Sequence, residues 1–107
     1  MATVEFHHFG VPTKTKYEGA TFIEGAKVHV TDPAKHPYRV EFVRFEKGNP
    51  FPKEVQSRSH AAFMVDDLEA AVKGKKVLVP PCDATPTLRI AFIMDGDAVI
   101  ELMQEKK

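Results

Sequence analysis

The sequence predicts an α+β domain made of two βαβββ-type modules, the first having lost most of its helix. Three observations predict it. Histidine and glutamate recur inside apolar, strand-like segments in the order His, Glu, His, Glu: His8 in Phe6-His7-His8-Phe9-Gly10-Val11, Glu41 in Tyr38 to Val43, His60 in Ser59 to Val65, and Glu101 in Ala98 to Met103. His60 follows His8 by 52 residues and Glu101 follows Glu41 by 60, and the eight-residue difference is about two helical turns, as expected for a helix kept only in the second copy. Finally, 107 residues with 43% hydrophobic content suffice for one buried core and are too few for two. The chain is read as a single domain, 1–107, with module one at about 3–46, a linker at about 47–58 and module two at about 59–104.

Val4 to Val11, rich in aromatic and β-branched residues, predicts a strand ended by Pro12. Thr13 to Ala20 is a connection with room for one helical turn, since Gly19 and the lack of an apolar stripe oppose more. Thr21–Ile23 and Lys27–Thr31 are short strands around Glu24-Gly25. Asp32-Pro33 and His36-Pro37 mark a loop, and Tyr38–Phe45 is the clearest strand of this half. Gly48, Pro50 and Pro52 make 46–58 a linker with one turn after Pro52.

The second half begins with a strand over His60–Val65. Asp66-Asp67-Leu68-Glu69 predicts a helix start capped by Asp66, with Leu68, Ala71 and Val72 as its buried stripe and Gly74 as its end. Val77–Val79, Arg89–Met94 and Ala98–Met103 complete the strands, the last two joined by a tight Asp95-Gly96-Asp97 turn.

Fifteen basic side chains balance fifteen acidic ones, which removes the electrostatic basis for general binding to nucleic acid or an anionic membrane. No segment approaches the ~20 apolar residues of a membrane span, and the start lacks a secretion signal. Cys82 has no second cysteine to pair with, and flanking Pro80, Pro81 and Asp83 place it in a loop. The expectation is a cytoplasmic protein whose partners are a small molecule and a second copy of itself, a homodimer formed over the sheet face left bare by the missing helix.

A carboxylate inside an apolar strand costs several kcal/mol unless it is paired, hydrogen-bonded or metal-bound, so Glu41 and Glu101 need a shared explanation. Two imidazoles and a divalent cation supply one. Neutral imidazole and carboxylate suit Zn, Ni, Mn, Co or Fe, and four protein ligands leave two positions of a six-coordinate ion open. An open metal can polarise a carbonyl, and a carboxylate beside it can act as a base towards the adjacent carbon. Either Glu41 or Glu101 could be that base, and the sequence does not choose.

His8-Phe9-Gly10-Val11, the run His60 to Glu69 leading into a helix, and the terminal Val99-Ile100-Glu101-Leu102 together resemble the vicinal oxygen chelate superfamily over essentially the whole chain. The superfamily includes glyoxalase I, methylmalonyl-CoA epimerase, extradiol dioxygenases and bleomycin-resistance proteins. The resemblance implies a curved mixed sheet with one divalent cation on its concave face, ligated by His8, Glu41, His60 and Glu101. It implies glyoxalase-like isomerase, epimerase or lyase chemistry on a small substrate with vicinal oxygens. The alternatives are a non-catalytic binding or resistance protein, and an Fe(II) extradiol-dioxygenase-like enzyme should Glu41 stand off the metal.

Each residue also has a plainer reading. A lone histidine is most often structural, and it is the equivalent placement of His8 and His60 in two modules that favours ligation. Strand parity turns His7 to the other face, although a one-residue register change would exchange it with His8. Glu41 has Arg39 as a same-face partner, whereas Glu101 has no basic neighbour of its parity. Arg39, Arg89 and Arg58 are candidates for holding a carboxylate or phosphate of the substrate, although an arginine in a small domain is most often a solvated surface residue. His29 and His36 read as surface residues, Lys73-Gly74-Lys75-Lys76 as a helix end whose cations meet the dipole, and the phenylalanines as sheet core.

Overall fold

The computed structural model describes residues 4–106, which form one eight-stranded mixed sheet curled into a half-barrel, with two short helices. The strands are β1 (Val4–Pro12), β2 (Thr21–Ile23), β3 (Val28–Val30), β4 (Val40–Phe45), β5 (His60–Val65), β6 (Lys76–Thr85), β7 (Leu88–Asp95) and β8 (Ala98–Glu105). The helices are α1 (Lys53–Ser57) and α2 (Leu68–Val72). Across the sheet the order is β2-β3-β4-β1-β5-β8-β7-β6.

The two modules are related through the middle of that order. β1 and β5 pair antiparallel, and each pairs parallel with the last strand of its own module, β1 with β4 and β5 with β8. The registers match: Phe9 faces Val40 and Gly10 faces Glu41 in one module, while Ala61 faces Ile100 and Ala62 faces Glu101 in the other. The 52- and 60-residue spacings seen in the sequence are therefore one equivalence carried by two strands.

Side-chain alternation divides each strand between a concave and a convex face. The concave core gathers Ala62, Ile90, Phe92, Val99 and Met103 around Val55 of α1. On the convex side Val65, Ala91, Ile93 and Leu102 pack against Leu68 of α2, which is wholly buried. Module one has no such helix. In its place Tyr17 of the 13–20 connection stacks on Phe42 with ring centroids 4.4 Å apart, so the single helical turn expected there is absent.

Several local expectations are corrected. The cap of α2 is Asp67 rather than Asp66, its side chain accepting from the Ala70 amide at 3.2 Å. β4 begins at Val40 because Arg39 has φ 56 and His36 Nδ1 accepts from the amides of Tyr38 and Val40, so residues 36–40 form a turn. β6 runs for ten residues through Pro80, Pro81 and Cys82, and Cys82 lies in that strand opposite Ile90. As the sheet's edge β6 can carry prolines, and its register shifts where they fall, between Val79 and Cys82. The β7–β8 connection is as tight as expected: Asp95 pairs with Ala98 across Gly96-Asp97, and Gly96 has φ 58, which suits glycine at the first central position of a hairpin turn.

Candidate metal centre

His8 and His60 project from the two central strands onto the concave face, and Glu41 and Glu101 reach the same point from the flanking parallel strands. One donor atom from each of the four residues lies within 4.8 Å of every other. His8 Nε2 is 3.3 Å from Glu41 Oε1 and 3.3 Å from Glu101 Oε1, and His60 Nε2 is 3.1 Å from Glu101 Oε1. Bonds of about 2.1 Å to one ion put neighbouring donors roughly 3.0 Å apart in an octahedron and roughly 3.4 Å apart in a tetrahedron, with opposite octahedral donors at about 4.2 Å. The three spacings of 3.1–3.3 Å lie between the two values for neighbouring donors.

Close approach of the strands depends on Gly10, which lies opposite His60 on β1. A Cβ at Gly10 would sit 2.2 Å from His60 Cε1 and 2.4 Å from Nε2, so the imidazole occupies space that any side chain there would take. At the equivalent place in module two Ala62 is accommodated, fully buried opposite His8. Pseudo-symmetry of the backbone thus breaks at one methyl group.

The cluster is buried, with His8 1%, His60 4% and Glu101 7% exposed. Glu41 is the most open of the four, its side chain 17% exposed. Burial alone would raise the Glu101 pKa, but the imidazoles of His60 and His8 outweigh it and hold the carboxyl at about 2. Burial likewise opposes charge on His8, and the two carboxylates overcome it, raising that imidazole to about 9. Despite these nearby charges His8 Nε2 has no directed hydrogen bond, nor has His60 Nδ1. An unsatisfied buried nitrogen costs about 1–3 kcal/mol, and an ion bound among the four residues would satisfy Nε2 of His8. The donor set and this orphan nitrogen both fit a divalent cation.

The other ring nitrogen of His8 is fixed. A bulge between Phe6 and His8 interrupts the pairing of β1 with β5, cancelling the strand alternation that would send His7 to the opposite face. His7 instead lies half-buried with Nδ1 2.8 Å from His8 Nδ1. Burial, then the neighbouring His8 charge, keep the His7 pKa below its ordinary value, so the neutral ring accepts from His8 Nδ1–H. That leaves His8 Nε2 to face the cluster. No local sequence signal announces the bulge.

Arg39 is not brought to the cluster and does not pair with Glu41. Its Nε donates to the His7 carbonyl at 2.5 Å, bracing the bulge from the far side. Arg89 is held by Glu69 at 2.7 Å and lies 3.7 Å from Asp83, while Arg58 reaches the Asp97 carbonyl. His29 pairs with Glu46 on the surface, and His36 serves the turn before β4.

Beside the four clustered residues a cavity of about 100 Å³ opens between the two halves of the sheet. Val28, Val43 and Phe45 form one wall, Ile90 and Phe92 the other, and Phe51 of the linker closes one side. Of these wall residues only Phe45 and Phe92 were singled out from the sequence, and as sheet core, because nothing local separates a cavity wall from packed interior. Compared with protein-family models and with curated proteins, the sequence matches none.

Proposed function

We propose that His8, Glu41, His60 and Glu101 hold one divalent metal ion, and that the protein is a glyoxalase-like enzyme catalysing isomerisation, epimerisation or lyase chemistry on a small substrate with vicinal oxygens. The observation that carries this is the convergence of four donor atoms, three of them from buried residues, within 4.8 Å at the end of an apolar cavity. The cation would supply Lewis-acid charge to the substrate's oxygens.

The chain's own residues divide the remaining work. Glu101 approaches both histidines and is almost fully buried, which suits a permanent ligand that orders the cluster. Glu41 approaches His8 alone and is the more exposed carboxylate, so it is the one free to swing away and accept a proton from the carbon next to a substrate carbonyl. His7 and Arg39 hold His8 in place from behind. The apolar walls keep water from the acceptor carboxylate and strengthen its interaction with the substrate.

The test is metal content of the native protein, followed by metal-dependent conversion of a panel of α-hydroxy and α-keto carbonyl compounds. Glu41→Gln should abolish turnover while keeping metal, and Glu101→Gln should lose metal. Turnover independent of metal, or full activity in Glu41→Gln, refutes the assignment.

The same asymmetry favours one competing reading. If Glu41 stands off the ion, His8, His60 and Glu101 form a two-histidine, one-carboxylate set of the kind that serves Fe(II) oxygenases. Oxygen consumption with catechols by Fe(II)-loaded Glu41→Gln protein distinguishes it. We also propose a homodimer through the uncovered face of module one, where Phe9, Phe22 and Tyr38 are 40%, 44% and 80% exposed. A monomeric mass by analytical ultracentrifugation at micromolar concentration would refute that.

A further inference from the structure

The cavity beside the four ligands is chemically one-sided. At one end sit two imidazoles and two carboxylates, and the remaining lining is aliphatic or aromatic apart from Thr85 and the thioether of Met103. Among the described residues no lysine or arginine lines it. Three cations nearby in sequence are engaged elsewhere: Arg39 with the His7 carbonyl, Arg89 with Glu69, and Lys106 with Asp83. An anionic group among the apolar walls would therefore lose water, and the imidazole of His8 at the far end already lies between the carboxylates of Glu41 and Glu101.

We infer that the cavity accepts a small molecule whose oxygens lie at one end and whose body is uncharged and apolar, and rejects the same molecule carrying a carboxylate or phosphate on that body. This rests on the proposed metal centre for the direction in which the oxygens point. The apolar selectivity is a property of the walls and stands apart from it. The space of about 100 Å³ sets the buried part of the body below the size of a benzene ring, which a cavity of about 150 Å³ accommodates. Anything larger extends through the opening.

Two matched pairs of probes test this on the wild-type protein. With Co²⁺ added in stoichiometric amount, 4-methylpentanohydroxamate and succinic monohydroxamate present the same oxygen pair. They differ only in a terminal isopropyl or carboxylate group of similar shape. The neutral compound should bind at least about 100-fold more tightly by calorimetry, the penalty of an unpaired buried charge, and should change the Co²⁺ absorption bands. Without metal, 4-methylpentanamide should move the methyl resonances of Ile90 and Met103, and succinamate should not. Selectivity in the metal-free pair together with no Co²⁺ binding would uphold the cavity inference and remove the metal centre. Affinities within threefold of each other in either pair, or no response of the two methyl groups to the neutral amide, would overturn the inference.

Discussion

Replacing Gly10 with alanine should damage the proposed metal centre more than the fold, and its sign is unusual. In a strand interior, alanine in place of glycine is ordinarily favourable by about 0.5–1 kcal/mol because the unfolded chain loses freedom. Here the new Cβ would lie 2.2 Å from His60 Cε1 and 2.4 Å from Nε2, more than 1 Å inside ordinary van der Waals contact, which begins near 3.4 Å. The ring must retreat, and on one side it meets Phe92, against which it packs edge-on with centroids 5.1 Å apart. Overpacking of this kind costs about 1–3 kcal/mol, so the variant should melt lower, by roughly 4–8 °C for each kcal/mol lost. Displacing Nε2 from its place 3.1 Å from Glu101 should weaken metal binding at least about 100-fold, a loss no smaller than the removal of a supporting contact causes. The assays are thermal unfolding of metal-free protein and calorimetric titration with Zn²⁺ or Co²⁺. His60→Ala supplies the control: once the ring is gone, Gly10→Ala should become neutral or stabilising, a coupling of about 1.5–4 kcal/mol between the two positions. A Gly10→Ala protein that binds metal like wild type and melts no lower would refute both the clash and the placement of His60.

The stability of the metal-free protein should depend on pH in two windows. The His8 pKa is raised from 6.5 to about 9, so its contribution is complete below pH 6.5 and is lost as pH rises through 9. The Glu101 pKa is depressed to about 2, so its contribution is complete above about 4.5 and is lost as pH falls through 2. Urea midpoints should peak between about pH 4.5 and 6.5 and fall on both sides, by up to about 3 kcal/mol from one shared interaction; a midpoint flat from pH 6 to 9.5 contradicts the His8 environment. His7→Phe should weaken metal binding about 10–100-fold and shift the His8 imidazole ¹⁵N resonances, with His7→Asn restoring part of both through its amide oxygen. Unchanged ¹⁵N shifts in His7→Phe would show that His7 does not set the His8 tautomer. Leu68→Ala should destabilise by about 2–5 kcal/mol with metal affinity intact, because Leu68 is wholly buried against the convex face, away from the cluster; a comparable loss of metal affinity would mean that the faces are coupled.

What the sequence disclosed, and what it hid, follows from how far apart the interacting residues lie. The four cluster residues were legible because each sits in a short apolar strand with a duplicate, and the two duplicates sit in matching register. Boundaries failed where a distant neighbour decided them. Pro80-Pro81-Cys82 reads locally as a loop, yet it is strand because β7 lies alongside and nothing on the other side requires the missing amides. Arg39 and Arg89 attract attention as cations, and their partners, the His7 carbonyl 32 residues away and Glu69 20 residues away, are set only by the folded chain.

His7 shows most clearly why a site is harder to read than a fold. Alternation assigns a face to every residue of a strand, and it did so correctly for His8, Gly10, Glu41, His60 and Glu101. A bulge is a single departure from alternation, invisible in composition and decisive for chemistry, because it sets His7 against His8 Nδ1 and leaves Nε2 to the cluster. Periodicity specifies which side chains share a face and cannot specify the orientation of one ring. The selective features of the centre, the gap at Gly10, the bulge at His7 and the uncharged wall, are all local exceptions to the repeat that makes the fold. If the two modules were perfect copies, residue 10 would be alanine like Ala62, and its Cβ would displace His60 from the shared site.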